Sequence, residues 1–176
     1  MNKLELRKHI RAQFLANTSE RHAAWSQLLC QKLIHLETIQ KAQVIAAFWP
    51  MPDEVDIRPV LHHLSSRGKK ILLPKVVNDV EMTWHKFEGE ETMLPDSFGI
   101  LTPTGADFAD YGKIDVVLVP GRAFDAQCHR MGRGKGYYDR FLSLTPAFRI
   151  GIGFPYQLVD EVPIDPHDLP MNMIVL

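Results

Sequence analysis

Apolar positions in the first forty residues recur at helical spacing. Leu6, Ile10 and Phe14 stand four apart among charged residues, so Lys3 to Asn17 is expected to be a helix with one buried stripe. Thr18, Ser19 and Glu20 break the pattern, and Ser19 is the expected cap of a second helix. That helix carries Trp25, Leu28, Leu29, Leu33 and Leu36 on one face. The period then changes. Val44 to Trp49 is a continuous apolar run, which fits a strand buried on both faces, and Pro50 and Pro52 end it. Asp56 to Arg67 returns to helical spacing through Ile57, Val60, Leu61 and Leu64, with Gly68 as the stop. Lys70 to Pro74 reads as a second strand. Met82 to Phe87 reads as a third, less buried one, whose alternation sends Trp84 and His85 to opposite sides.

Glu88 to Gly112 is rich in Gly, Pro, Asp and Thr, and is expected to be a long loop that crosses the sheet or covers a site. Val116 to Pro120 is a strongly apolar strand. A polar, glycine-rich loop from Gly121 to Gly136 follows, then a short helix from Tyr137 to Leu144. Phe148 to Phe154 and Met173 to Leu176 complete the strands. Short strands alternating with helices point to an α/β sheet with helices on its faces. Ligands in such sheets sit beyond the carboxyl ends of the strands, so the loop after Val119 is the first place to look. No repeat, low-complexity tract or linker divides the chain, and residues 1–176 are read as one domain.

Composition narrows the partners. Lys and Arg number 20 against 21 Asp and Glu, a formal charge of −1, which argues against a protein that coats nucleic acid. The chain begins with charged residues rather than an apolar leader, and no apolar run approaches the roughly 18 residues that span a membrane. A cytoplasmic monomer without membrane association is expected. Cys30 and Cys128 form no disulfide framework.

The candidate chemistry lies between Pro120 and Arg140. Gly132, Gly134 and Gly136 alternate with Arg133 and Lys135, and a helix follows. Such a loop makes an anion cradle. Glycines let the backbone approach a phosphate, and Arg and Lys add charge-assisted contacts. Asp139 offers a hard oxygen for Mg²⁺. The generic nucleotide motifs fail here, because Gly136 follows Lys135 where a Walker loop needs Ser or Thr. A structural glycine-rich turn stands as the alternative. Cys128 and His129 beside Asp125 have the residue types of a nucleophile and base, but neighbours on a loop rarely hold that geometry. His62 and His63, adjacent on a helix, point apart.

The stretches Pro120–Asp125 and Gly132–Asp139 resemble the 5-formyltetrahydrofolate cyclo-ligase family, also called 5,10-methenyltetrahydrofolate synthetase. The family carries a Pro-Gly-x-x-Phe-Asp strand end and a Gly-x-Gly-x-Gly-Tyr-Tyr-Asp loop, and both stand here. Lys3 with Arg7, Glu54 after the first strand, and Arg67 through Pro74 extend the resemblance along the chain. It implies a three-layer α/β/α sandwich with a Rossmann-like, mostly parallel sheet and N-terminal helices. The implied activity converts 5-formyltetrahydrofolate and ATP to 5,10-methenyltetrahydrofolate, ADP and phosphate, with ATP and Mg²⁺ required. An enzyme of the same fold acting on a phosphorylated sugar, or a non-catalytic folate or nucleotide binder, are the rival readings.

Roles follow from the resemblance. Lys3, Arg7 and the run Arg130, Met131, Gly132, Arg133, Gly134, Lys135, Gly136, Tyr137 and Tyr138 would contact ATP. Trp49, Glu54 and Phe98 would contact the folate, together with Arg133, Gly134, Lys135, Gly136 and Tyr137. Arg133, Lys135 and Tyr137 would carry the catalysis, and Asp139 and Asp168 would hold Mg²⁺. The chain departs from the family at Thr102-Pro103, where Glu-Pro is common, at Asn172, where Asp is common, and at Arg122, where a small or apolar residue is common.

Overall fold

The computed structural model describes residues 1–97 and 99–176. Helix α1 (Lys3–Ala16) begins at a capping box. The Asn2 side chain accepts from Leu4 N at 3.0 Å and Glu5 N at 2.9 Å, and Glu5 accepts from Asn2 N at 2.8 Å. The cap fixes where the helix starts and so where Lys3 and Arg7 point. Its buried residues Leu6 and Ile10 pack on Ala123, Met131 and Val162. Helix α2 (Ser19–His35) is capped by Thr18, whose hydroxyl accepts from Arg21 N at 3.3 Å, and not by Ser19. Ser19 is already the first helical residue. A five-residue α3 (Glu37–Lys41) follows, too short to leave a periodic signal.

Six strands form the central sheet: β1 (Val44–Ala46), β2 (Lys70–Val76), β3 (Met82–Lys86), β6 (Val116–Pro120), β9 (Phe148–Ile152) and β10 (Met173–Val175). Their order is β10-β9-β6-β1-β2-β3, parallel throughout except for the antiparallel pair of β2 and β3. Helix α4 (Arg58–Ser66) connects β1 to β2. It starts two residues later than the periodicity suggests. Asp56 stays outside, accepting from Arg58 N at 3.1 Å, and Pro59 takes the first turn, where its missing N–H costs nothing.

The strands sort their side chains by alternation. Ile45, Ile71, Leu73, Val116, Leu118 and Ile150 face α2 and α4 in one buried layer. Ala46, Leu72, Val117 and Val119 face the opposite layer, with Trp84, Phe124 and Phe141. Both faces of the sheet are therefore covered, as a parallel sheet requires. Trp84 is fully buried and packs on Phe141, ring centres 4.4 Å apart, in helix α5 (Tyr137–Leu142). That contact seats α5, and with it the end of the glycine loop. His85 lies on the other side of β3, half-buried.

Two segments expected to be plain loops contain small ladders. Leu94–Pro95 (β4) pairs with Leu101–Thr102 (β5), and Ala123–Phe124 (β7) pairs with Arg130–Met131 (β8). Strands of two residues are too short for an alternation to be read. Asp125 organises the β7–β8 turn. Fully buried, it accepts from Gln127 N, His129 N, Val162 N and His129 Nδ1 at 3.0 Å each. The Cys128–His129–Asp125 group is thus a turn clasp: His129 is spent on Asp125, and Cys128 sits at φ 64, the left-handed conformation of the bend.

Burial alone would raise the Asp125 carboxyl, but hydrogen bonds from Val162 and His129 outweigh it and hold it below its ordinary value. A carboxyl lowered by folding adds stability above its unfolded value, near pH 4, and that stability is lost as pH falls through the folded value. Asp125→Asn turns one acceptor oxygen into a donor facing donors. We expect it to cost roughly 2 kcal/mol at neutral pH. The gap between the two proteins should narrow below about pH 4. Urea unfolding at both pH values measures this, and an equal gap at both contradicts the role of the charge.

Candidate functional site

β1 pairs with β6 only at Ile45–Val116 and Ala46–Val117, whereas β6 continues beside β9 to Pro120. Beyond Ala46 the two parallel strands separate. The chain leaves β1 toward β2 on one side and later returns to β6 on the other, so this is the point where strand order reverses. A cavity of about 470 Å³ opens there. The segment after β1 supplies Phe48, Trp49, Met51 and Glu54, and the carboxyl end of β6 supplies Pro120, Gly121 and Arg122. Pro74 and Val76 at the end of β2 add a third side.

Every described residue expected at the site lines this one cavity: Lys3, Arg7, Trp49, Glu54, the run from Arg130 to Asp139, and Asp168. Phe98, expected to contact the folate, lies outside the described residues. Lys3 and Arg7 reach the cavity from one face of α1, as their spacing requires. Arg7 Nε donates to the Gly132 carbonyl at 3.1 Å, which ties α1 to the glycine loop. Gly134 at φ 106 and Gly136 at φ 70 give that loop its shape, a backbone conformation that side-chain-bearing residues rarely adopt. A Cβ at Gly134 would also lie 3.3 Å from Arg7 Nη2.

The loop's cations have different surroundings. Arg130 lies beneath it, with 3% of its side chain exposed, and donates to both Asp139 oxygens at 3.0 and 3.1 Å and to the Pro120 carbonyl at 3.1 Å. It therefore binds the end of β6 to α5. Arg133 reaches across the cavity mouth to the segment after β1. Its Nη2 donates to Glu54 Oε1 at 3.0 Å and also to Asp53. Burial works against the Arg133 charge, but Asp53 and Glu54 outweigh it and raise the guanidinium further. Lys135 is exposed, with Asp79 at 3.2 Å. Tyr137 donates to the Asn78 carbonyl at 2.9 Å and Arg140 to the Val80 carbonyl at 2.8 Å, so the β2–β3 turn rests against the loop. Burial pushes the Tyr138 hydroxyl far above the ordinary phenol value, which keeps it neutral.

At the first residue of α1, Lys3 Nζ donates to Asp168 at 2.5 Å and to Asp165 at 2.6 Å. Burial opposes the Asp168 charge, but the Lys3 hydrogen bond overrides it and holds the carboxyl below its usual range. Asp165, His167 and Asp168 place potential ligand atoms within 4.8 Å of one another. Asp139 is not part of that group, since its carboxylate is held by Arg130. Trp49 is half-buried at the cavity wall, its ring centre 6.0 Å from that of Phe87.

The combination is an apolar wall, a carboxylate at its end and a glycine loop with flanking cations. The sequence pattern describing the 5-formyltetrahydrofolate cyclo-ligase family matches residues 1–176. The chain belongs to the 5-formyltetrahydrofolate cyclo-ligase family. The mouse 5-formyltetrahydrofolate cyclo-ligase is 28% identical, over 97% of this chain and 91% of its own length. The structure of an Aquifex aeolicus 5,10-methenyltetrahydrofolate synthetase superposes with a TM-score of 0.87 at 30% identity, covering 99% of this chain and 89% of that one. A Mycoplasma pneumoniae 5,10-methenyltetrahydrofolate synthetase gives 0.81 at 27%, covering 99% and 98%.

Relative to the cyclo-ligase pattern, sequence reasoning passed over Asp53, Asp165, His167 and Asp79. Asp53 had a signal: it directly precedes Glu54 in the same turn after an apolar strand. Arg122 was visible as a departure, and its Nη1 meets Asp53 at 2.5 Å. Arg130→Met should lower stability by roughly 3 kcal/mol or more, because it strands the Asp139 carboxylate. Arg133→Gln should cost about 1 kcal/mol or less, because that pair is partly in water. Denaturant unfolding distinguishes them, and equal costs contradict the assigned burial.

Proposed function

We propose that this chain catalyses the ATP-dependent closure of 5-formyltetrahydrofolate to 5,10-methenyltetrahydrofolate, with release of ADP and phosphate. Family membership supports the reaction. The observation that carries the site assignment is the convergence of the apolar wall, Glu54 and the cationic glycine loop on one cavity at the separation of β1 and β6.

The reaction needs ATP for a chemical reason. The formyl group is an amide, and its oxygen is a poor leaving group. Attack of that oxygen on the γ-phosphorus forms an O–P bond and releases ADP. Nitrogen 10 then attacks the activated carbon and loses its proton, the C–O bond breaks, and phosphate departs. The protein supplies position and charge stabilisation. In this reading the Gly132–Gly136 amides, Lys3, Arg7 and Lys135 receive the phosphates. Arg133 and Tyr137 sit where the formyl oxygen meets the γ-phosphate. Trp49 supplies an apolar surface for the pterin, and the Glu54 carboxylate accepts its N–H groups. Arg130 serves from below, through Asp139.

Mg²⁺ belongs to the same reading. The hard carboxylate oxygens of Asp168 fit that cation, which would neutralise phosphate charge when bound, whereas both oxygens of Asp139, the other expected ligand, are taken by Arg130. Asp165 extends the oxygen set. We also propose that the chain works as a monomer in the cytoplasm. Among the described residues, no helix is long and apolar enough to cross a membrane.

Purified protein given 5-formyltetrahydrofolate, ATP and Mg²⁺ should form the methenyl product, followed by its near-ultraviolet absorbance, and omission of any one component should abolish it. Folded protein that makes no product contradicts the reading. Lys135→Ala should lower turnover roughly 100-fold while 5-formyltetrahydrofolate affinity stays within about threefold. Full turnover of that variant at saturating ATP removes Lys135 from phosphoryl transfer.

A further inference from the structure

The carboxylate meant for the pterin is already engaged. Glu54 Oε2 accepts from Met51 N at 3.0 Å, and Oε1 accepts from Arg133 Nε at 3.3 Å and Nη2 at 3.0 Å. Only 12% of the Glu54 side chain is exposed, so little room remains for a second donor. A pterin that takes Glu54 must first displace Arg133. The displaced guanidinium then needs another anion. Asp53 stands beside it, already receiving Arg133 Nη2 through one oxygen and Arg122 Nη1 through the other at 2.5 Å. Arg133 also belongs to the glycine loop, between Gly132 and Gly134, where a nucleotide's phosphates would lie.

We propose that Arg133 couples the two ligands and that Asp53, anchored by Arg122, is a positioning residue for it. Held as it is here, Arg133 occupies Glu54 and blocks the pterin's acceptor. Phosphates on the glycine loop draw Arg133 away and release Glu54. When folate arrives first, Asp53 alone receives the displaced arginine, which is the less favourable exchange, since Asp53 already serves Arg122. Nucleotide therefore tightens folate binding, and by linkage folate tightens nucleotide binding by the same factor. The inference rests on the folate and nucleotide assignments above.

Asp53 and Arg133 make opposite predictions, which a general structural role does not. The test is calorimetric titration of 5-formyltetrahydrofolate into the protein, with and without a non-hydrolysable ATP analogue and Mg²⁺, so that no turnover occurs. For the unmodified protein the analogue should tighten the folate Kd about tenfold. Arg133→Met should lower this factor to twofold or less, because the block on Glu54 is gone. Asp53→Asn should raise the factor above that of the unmodified protein. Without its acceptor, Arg133 stays on Glu54 and weakens folate binding alone, while the analogue restores it.

A folate Kd unchanged by the analogue in the unmodified protein overturns the coupling and leaves the proposed reaction standing. So does an Asp53→Asn factor at or below that of the unmodified protein. Absence of folate binding under all conditions, in protein whose circular dichroism is native, overturns the coupling and the folate assignment together.

Discussion

The separation of β1 from β6 after Ala46 and Val117 governs the rest of the molecule. Two adjacent parallel strands whose connections run in opposite directions leave a crevice that no crossover covers. Here it is deepened by unequal strand length. β6 has β9 beside it through Pro120, while β1 leaves the ladder and runs into a segment broken by Pro50 and Pro52. Those prolines bring Trp49 and Glu54 to one side of the gap, and Gly121 and Arg122 form the other. The β7–β8 hairpin, clasped by Asp125, carries the glycine loop back over the opening, and α1 closes the end with Lys3 and Arg7.

Charge is balanced inside the cavity by residues from distant parts of the sequence. Lys3 meets Asp165 and Asp168, Arg130 meets Asp139, and Arg122 and Arg133 share Asp53. These pairs are not equivalent. Arg130 and Asp139 are largely withdrawn from water, where breaking a pair is costly, so they act as framework. Arg133 and Lys135 are more exposed and their pairs are individually weak, so an incoming polyanion can displace them. A buried cation beneath the loop and exchangeable ones on its rim suit a site that must stay in shape while its charge partners change.

Much of this was legible in the sequence, for identifiable reasons. The long apolar stripes of α1, α2 and α4 and the continuous runs of β1 and β6 gave the α/β architecture, because periodicity survives in elements of useful length. The glycine loop pointed to the cavity, because its residue types carry a mechanism. The two-residue ladders β4–β5 and β7–β8 carry no period, and the five-residue α3 has too few positions to show one. The cap of α2 fell one residue early because Thr18 and Ser19 are equivalent cap formers, and only the side-chain geometry selects Thr18. The pairing of Asp53 with Arg122 escaped for a different reason: it is a contact across 69 residues of chain, which the local pattern around each residue does not encode.

The proposed function requires that one cavity, where β1 and β6 part, receive both ligands. Amide chemical shifts of isotope-labelled protein test it directly, by titration with a non-hydrolysable MgATP analogue and with 5-formyltetrahydrofolate. The nucleotide should shift amides from Gly132 to Tyr138 and around Lys3 and Arg7, and the folate should shift those from Phe48 to Glu54. Shifts that cluster instead at the separate groove beside His9, Tyr156 and Leu158 would contradict it.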